Sequence, residues 1–297
     1  MPNQPSRRLA IKNIVAGTVA LGTASIMSSY TFSNPKSIKR SALKGNINHS
    51  VCRWIYDDMS LEELCNAVKR IGFANIDLIS PKEWPILQRN GIYCSMCYTS
   101  GENSLYKGWN NKSYHPQLSR DYEETIPLMA KAGYKNLICF SGARNGMDDW
   151  TGLDNCAEGL KKILPLAEKN GVTLIMELLN SKIDHKDYMC DKTLWGVELC
   201  KRIDSPNFKL LYDIYHMQIN EGDIIRTIGE HAKYIAHYHT GGVPGRHEID
   251  ETQELYYPAI MRAILETGYK GFVAQEFVPS KKDKIASLKQ GVEICDI

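Results

Sequence analysis

From about residue 47 onward, short apolar runs rich in β-branched and aromatic residues alternate with longer amphipathic stretches. The run VTLIMELLN at 172–180 is apolar almost throughout, rather than only at alternate positions. Strands of this kind, separated by helices, indicate parallel pairing with both faces of the sheet covered. The predicted strands lie at 48–56, 75–80, 92–100, 135–142, 172–180, 208–215, 234–241 and 271–278.

The stretches between these strands carry helix start and stop signals. Ser60 is followed three residues later by Glu63, the spacing of a capping box at a helix start. Glycine marks the other ends, because it adopts the left-handed conformation that closes many helices. Predicted helices at 121–132, 154–170 and 257–267 each end directly before a glycine.

Eight strand–helix units in about 250 residues predict an α/β fold, a single-domain (β/α)8 TIM barrel over residues 47–297. The competing architecture is a doubly wound open sheet. That fold usually has a glycine-rich phosphate turn after its first strand, and no such turn follows 48–56.

Composition supports a globular domain of the size of an enzyme. It argues against a membrane span and against nucleic acid as the main partner. The chain is 43% hydrophobic and 24% charged, and it has no apolar run long enough for a membrane span. Residues 1–45 hold seven Lys or Arg and no acid. Subtracting these from the 36 basic residues leaves 29 against 34 acids, a net charge of −5 for the remainder. A mildly acidic body argues against nucleic acid as the main partner.

The basic N-terminus has the layout of an export signal. SRRLAIKN at 6–13 precedes the weakly apolar IVAGTVALGTASIM at 14–27, and the pair resembles a twin-arginine signal. We therefore predict a signal segment at 1–30, a linker at 31–46 and a periplasmic location. An amphipathic N-terminal helix or a disordered arm in a cytoplasmic protein is the alternative.

The nine cysteines do not have the spacing of a disulfide framework. Cys94 and Cys97 have the spacing of a redox or zinc pair, but they lie within a predicted strand. Side chains three apart on a regular strand point to opposite faces. We expect both to be core thiols.

The last four predicted strands each carry one possible metal ligand near the C-terminal end: Glu177, Asp213, His239 and Glu276. They are separated by 36, 26 and 37 residues, about one strand–helix unit each. In a barrel this spacing places them at one height, on the face where catalytic loops gather. Any one of them taken alone could instead be a structural ion pair.

Bringing three carboxylates together is costly unless a cation compensates them. A divalent metal does so, and a set of three carboxylates and one imidazole favours Mn²⁺, Mg²⁺ or Co²⁺ over structural Zn²⁺. The sequence therefore predicts one divalent metal held by these four residues.

Further polar and aromatic residues near the predicted strand ends are substrate-binding candidates. His216 is expected on a loop beyond the sixth strand, because an offset of three from Asp213 changes face on a straight strand. The loop 241–248 has the glycines and proline of a shaped loop, and the loop 180–191 could close over the pocket. The alternatives are that His216 is a surface residue, that the loop 241–248 is only a solvated polar loop, and that the aromatic residues belong to the core. The predicted substrate-binding residues are His216, Arg246, His247, Arg53 and Trp54, with Tyr98 and Trp109 as possible walls.

These residues resemble the pattern of the xylose-isomerase-like sugar isomerase/epimerase barrels. Within that superfamily, LYDIYHMQINEGD, PGRHE and GYKGFVAQEF are similar to the hydroxypyruvate isomerase family. The resemblance covers nearly everything after residue 47. Hydroxypyruvate isomerases typically have Gln at the third ligand position, whereas His239 is the residue found in ketose 3-epimerases.

The resemblance implies a metal-dependent isomerase or epimerase of a small hydroxy-carbonyl or sugar substrate. One of Glu177 and Glu276 would remove a proton beside the carbonyl to give an enediolate, and the other would return one. His216 and Arg246 would orient hydroxyls or stabilise oxyanion charge.

Other functions remain open on the sequence alone. A sugar or inosose dehydratase of the same superfamily begins with the same proton abstraction. An endonuclease-IV-like hydrolase needs more histidines and a basic groove. A non-catalytic sugar-binding barrel would not need both glutamates. A small-molecule substrate is the expected partner, and a homo-oligomer is left open.

Overall fold

The computed structural model describes residues 42–297, in which eight parallel strands form one sheet. Neighbours in sequence are neighbours in the sheet from β2 to β8, and β1 pairs with β8. The predicted barrel and all eight predicted strands are confirmed. The strands are β1 (Asn48–Val51), β2 (Asn75–Ile79), β3 (Tyr93–Cys97), β4 (Asn136–Cys139), β5 (Thr173–Leu178), β6 (Phe208–Asp213), β7 (Ile235–Thr240) and β8 (Phe272–Gln275).

The barrel is nearly rather than fully closed. Within residues 42–297, β1 and β2 share no ladder and meet at one isolated parallel bridge between Cys52 and Asp77. The predicted signal at 1–30 and the linker up to residue 41 lie outside the described residues. Export therefore stays a prediction, which fractionation of cells expressing the full chain would test.

Helices connect the strands and cover the outside of the barrel. The capping box predicted at Ser60 and Glu63 is present at the start of the first helix. Two helices begin earlier than predicted. Pro116 lies in the first turn of one, and Asp148 caps the other by accepting from two backbone N–H groups. The helices are α1 (Leu61–Ile71), α2 (Trp84–Arg89), α3 (His115–Ala132), α4 (Asp149–Lys169), α5 (Thr193–Ile203), α6 (Ile214–Asn220), α7 (Ile224–His231), α8 (Tyr257–Glu266) and α9 (Lys284–Cys295).

The pairing of β2 with β3 is irregular. Its register skips Ser95 on β3 and then Leu78 on β2, and Leu78 has a φ of +61°. An extra residue in one strand interrupts the alternation of side chains between the two faces. The sulfur atoms of Cys94 and Cys97 consequently lie 3.3 Å apart, so the expectation that they face opposite ways is wrong. Both remain buried free thiols, as predicted.

Residues 42–297 contain no helix that combines the length and the apolarity needed to cross a membrane.

Candidate active site

Four charged side chains from consecutive strands meet at one end of the barrel. Glu177 lies in β5, Asp213 ends β6, His239 lies in β7, and Glu276 directly follows β8. All four are buried, and each has a ligand atom within 4.8 Å of those of the others. Asp213 and His239 are partners in the β6–β7 register, which brings residues 26 apart in the chain to the same height. The fold therefore assembles the cluster that the spacing predicted.

One histidine and one arginine compensate the carboxylates of this cluster. Nδ1 of His239 lies 2.7 Å from Oε2 of Glu276 and 3.3 Å from Oε1 of Glu177. Arg246 donates from Nη2 to Oε2 of Glu276 at 2.6 Å and to Oδ2 of Asp213 at 3.4 Å. Glu276 is thus the most heavily contacted of the three acids.

Burial and these contacts shift the pKa values of the acids in different directions. Burial raises the pKa of Asp213 to about 8, although Arg246 opposes the shift. Burial also raises the pKa of Glu177, against its hydrogen bond with His239. Burial works the same way on Glu276, but His239, Arg246 and the indole of Trp54 outweigh it and hold its pKa well below the ordinary value. The three buried carboxylates therefore carry more negative charge than Arg246 and His239 fully compensate.

The residues present fit a divalent metal ion. Three carboxylates and one imidazole converge within ligand distance of one another, and oxygen-rich sets of this kind suit hard divalent cations. Nε2 of His216 is a further buried polar atom, and it has no hydrogen-bond partner among residues 42–297. It lies 3.6 Å from Oδ2 of Asp213. A bound divalent cation would compensate the negative charge that Arg246 and His239 leave uncompensated.

A cavity of about 270 Å³ opens beside the cluster. Glu177, Glu276 and Arg246 form its charged side, together with His185 from the loop after β5. The opposite wall is mainly apolar and aromatic, which is usual for a small-molecule site. That wall consists of Trp54, Leu78, Tyr98, Leu105, Phe140 and Leu179, with Asn103 beside them.

The other predicted substrate-binding residues lie outside this cavity lining. Arg53 donates to the backbone carbonyls of Tyr56 and Met59, at 2.5 and 3.1 Å, in the turn that follows β1. His247 is exposed, and its Nδ1 is 2.9 Å from the carbonyl oxygen of Val278. Trp109, considered as a wall, is fully buried in the core.

His216 lies in the first turn of α6 and not on a loop. The helix begins directly after β6, because Asp213 caps it by accepting from the backbone N–H of His216 at 3.2 Å. The imidazole is fully buried, and its Nδ1 is 2.6 Å from Nδ2 of Asn180. His216 therefore contacts the cluster through Asp213 but does not line the cavity.

The family described as "Xylose isomerase-like TIM barrel" matches residues 85–295, which is most of the described part of the chain. The chain belongs to this family. The match includes all of Glu177, Asp213, His239 and Glu276.

Several relatives of this xylose isomerase-like barrel are known isomerases or epimerases by name. The chain is 24% identical over 242 residues to a 2-oxo-tetronate isomerase of Pectobacterium atrosepticum, covering 77% of the chain and 90% of that protein. It is 31% identical over 126 residues to a Danio rerio protein provisionally named hydroxypyruvate isomerase, covering 42% and 46%. It is 30% identical over 176 residues to a D-psicose 3-epimerase of Ruminiclostridium cellulolyticum, covering 56% and 55%.

The chain thus spans about half the length of two of these relatives and most of the third. All three relatives are isomerases or epimerases by name.

Solved structures share the barrel at lower identity. An AP endonuclease of family 2 from Brucella melitensis superimposes with a TM-score of 0.72 at 21% identity, covering 83% of the chain and 97% of that protein. The IOLI protein, whose structure has a bound zinc atom, superimposes with a TM-score of 0.65 at 14% identity, covering 84% and 95%. At these identities the similarity establishes the fold alone.

The loop that carries Arg246 in this xylose isomerase-like barrel is tied to the segment after β8. Arg246 has a φ of +58°, and its carbonyl oxygen accepts from the backbone N–H of Val278 at 2.6 Å. Its guanidinium carbon lies 5.4 Å from the ring centres of both Trp54 and Tyr215. Stacking between two aromatic rings and two carboxylate contacts fix the guanidinium over the cluster.

Glu248 is the anchor of this loop. Its carboxylate accepts from the backbone N–H groups of Ser280 and Lys281, both at 3.0 Å. It also accepts from the hydroxyls of Ser280 and Ser287, both at 2.8 Å. Burial works to raise the pKa of Glu248, but these donors outweigh it and lower the pKa to about 2.

We predict that Glu248→Gln lowers the free energy of unfolding by about 2 kcal/mol at pH 7, because the donors lose a charged acceptor. The folded-state pKa of about 2 lies below the unfolded value of about 4.3. The stabilisation is therefore complete above about pH 4.5 and disappears as the pH falls towards 2. Urea unfolding at pH 7 and at lower pH measures the difference, with Glu230→Gln on the exposed surface of α7 as control. A difference that does not shrink in acid would contradict this assignment.

Sequence reasoning missed several residues of the site. Asp77 interrupts the apolar run NIDLIS just as Asp213 interrupts KLLYDIY, so the same signal was present. His185 lies in the loop 180–191 that was expected to close over the pocket, and it does line the cavity. Asn180 and Glu248 act through hydrogen bonds to residues distant in the chain, for which the sequence has no local signal.

Proposed function

We propose that this protein is a divalent-metal-dependent isomerase or epimerase of a small hydroxy-carbonyl or sugar substrate that works by proton transfer through an enediolate. One observation carries the proposal. Two buried glutamates, Glu177 and Glu276, line one side of the cavity, and their surroundings shift their pKa values in opposite directions. Pairs of acids whose environments separate their pKa values are typical of acid–base catalysis.

Glu276 is the glutamate that is ionised at neutral pH, the form that a general base requires. Its carboxylate is held ionised by Arg246 and His239, and the indole N–H of Trp54 donates to its Oε1 at 2.8 Å. That hydrogen bond leaves the carboxylate fixed at the cavity wall, where it can take a proton from the carbon next to a substrate carbonyl. Glu177, whose pKa is raised, is suited to return a proton.

Arg246 is suited to hold the oxygen on which negative charge develops. It is half-buried, permanently charged and positioned by two aromatic rings before any substrate arrives. A fixed cation in a site with little water stabilises a developing oxyanion without reorganisation.

Glu177, Asp213, His239 and Glu276 would hold the metal, with Mn²⁺, Mg²⁺ or Co²⁺ as the proposed ions. When bound, a divalent ion supplies a Lewis acid that polarises the substrate carbonyl. The zinc atom in the IOLI protein structure is consistent with a metal site in a barrel of this fold.

The substrate range supported by the relatives is hydroxypyruvate-like acids and ketoses, because 2-oxo-tetronate isomerase and D-psicose 3-epimerase are among them. A panel of hydroxypyruvate, four- to six-carbon ketoses and inososes, incubated with the protein and Mn²⁺ and followed by NMR, tests the proposal. Isomeric or epimeric product supports it. Product formed with loss of water would make the protein a dehydratase instead, and turnover unaffected by complete metal removal would contradict the metal requirement.

A further inference from the structure

A second polar cluster lies inside the barrel, beside the proposed metal ligands. Its centre is Asp77 of β2, whose side chain has no solvent exposure. Oδ2 of Asp77 is 2.5 Å from Nε2 of His237 and 3.1 Å from Nε2 of His239. Oδ1 accepts from the hydroxyl of Ser50 at 2.8 Å and from that of Ser95. Four donors from three other strands therefore converge on one buried carboxylate.

An irregular stretch of backbone holds Asp77 in this position. Asp77 forms the isolated bridge with Cys52 that joins β1 to β2, and the register skips the next residue, Leu78. Leu78 has a φ of +61°, a conformation that is unfavourable for leucine. Such conformations persist where the surrounding structure enforces them, and they concentrate at functional sites. Here the irregularity leaves Leu78 in the cavity wall and the Asp77 carboxylate in the barrel interior.

The two nitrogens of His239 face two different groups of carboxylates. Nε2 faces Asp77 at 3.1 Å, whereas Nδ1 faces Glu276 at 2.7 Å and Glu177 at 3.3 Å. A carboxylate cannot donate a hydrogen bond when ionised, so the contact with Asp77 keeps a proton on Nε2. Nδ1 also faces carboxylates, so it would be the nitrogen that gives up its proton to a cation bound among Glu177, Asp213 and Glu276.

We infer that Asp77 is a positioning residue that fixes the ring orientation and tautomer of His239, so that Nδ1 is the nitrogen offered to the metal. This inference rests on the proposed metal site. Histidines that bind metals commonly donate their other ring N–H to a carboxylate, which fixes the tautomer and makes the ring a better ligand.

Asp77 could alternatively be a ligand of a second ion, because Cys52, Asp77 and His239 also have ligand atoms within 4.8 Å of one another. The contacts argue against that role. Both oxygens of Asp77 already accept from protein donors, and Sγ of Cys52 is 3.7 Å from Nε2 of His239, a hydrogen-bond contact. The Asp77 carboxylate thus has protein donors on both oxygens, as expected of a residue that supports a ligand.

Binding of Co²⁺ to the full chain, titrated by visible absorption in competition with a chelator, tests the inference. Wild-type protein is expected to bind about one Co²⁺ per chain. Asp77→Asn should bind Co²⁺ about 10- to 100-fold more weakly and with altered absorption bands, because the amide no longer enforces the tautomer. The control is His237→Gln, which removes another hydrogen bond to the same carboxylate but leaves the Asp77–His239 contact. Its affinity should stay within about threefold of wild type.

A second measurement does not depend on the folding of a variant. In Zn²⁺-loaded wild-type protein, the ring ¹⁵N shifts should place the proton of His239 on Nε2 and the metal on Nδ1. A proton on Nδ1 would overturn the inference.

The outcomes separate the two proposals. Failure of the wild-type protein to bind Co²⁺ would overturn the proposed metal site. Binding by the wild type with equal affinity in Asp77→Asn would overturn the positioning role alone. Equal weakening in His237→Gln would make the effect a general loss of stability, and two Co²⁺ per chain with one lost in Asp77→Asn would make Asp77 a ligand. Either result overturns the positioning role.

Discussion

Glu276→Gln and Glu177→Gln are each expected to lower kcat by about two to four orders of magnitude while leaving the fold intact. Glutamine keeps the size of the side chain and one oxygen that can accept from Trp54 or His239, but it cannot exchange a proton at neutral pH. The measurement is the rate of product formation by NMR with the substrate that the panel identifies, together with the circular dichroism spectrum of each variant.

Glu221→Gln is a matched control for these two variants. Glu221 accepts from the backbone N–H and hydroxyl of Thr193, away from the cavity, so its replacement changes the same chemical group without touching the proposed site. Metal content measured on every variant separates loss of a proton-transfer group from loss of the metal. Full activity in either Glu177→Gln or Glu276→Gln would rule out that residue as the acid or base.

Asp213→Ala is expected to reduce the bound divalent metal from about one ion per chain to nearly none, and activity should fall with it. Asp213 is the least exposed acid of the cluster, and burial raises its pKa to about 8 without a metal. The contact with Arg246 at 3.4 Å does not offset this effect of burial, and a bound cation would keep the carboxylate ionised at neutral pH. Elemental analysis of protein purified with Mn²⁺ gives the stoichiometry.

The same side chain also caps α6, so Asp213→Asn is a useful second variant that can still accept from His216. Asp191→Asn serves as control, because Asp191 pairs with Arg144 outside the cluster. Retention of a full equivalent of metal by both Asp213 variants would remove Asp213 from the ligand set.

The barrel and its four-residue cluster were predictable because both follow from repetition. Consecutive parallel strands end at one height, so ligands that recur once per strand–helix unit must meet, as Asp213 and His239 do in the β6–β7 register. This inference needs the position of each strand end only to within about a residue or two. It needs no knowledge of the loops.

What failed was reasoning that assumed regular strands. The prediction that His216 lies on a loop rests on the change of face that an offset of three from Asp213 gives on a straight strand, whereas the Asp213 carboxylate starts a helix. Cys94 and Cys97 were placed on opposite faces because nothing local in IYCSMC indicates that the register skips Ser95. Bulges depend on how two strands pair, which is a non-local property.

The directions of loop side chains also depend on contacts that are distant in the sequence. Arg246 and His247 are adjacent in one glycine-containing loop, yet Arg246 lines the cavity and His247 bonds to a carbonyl on the surface. Their directions are set by the left-handed conformation of Arg246 and by the hydrogen bonds from Ser280, Lys281 and Ser287 to Glu248. These contacts join segments more than 30 residues apart, so the loop sequence alone could not distinguish the two side chains.

The most direct test of the proposed chemistry is deuterium incorporation during turnover in D₂O with Mn²⁺, read by NMR on a substrate that the panel identifies. Proton abstraction by a glutamate predicts deuterium at the carbon next to the carbonyl in the product, at a rate that falls by orders of magnitude in Glu276→Gln. Product that forms at full rate with no deuterium at that carbon, in wild-type protein, would contradict proton transfer through Glu177 and Glu276.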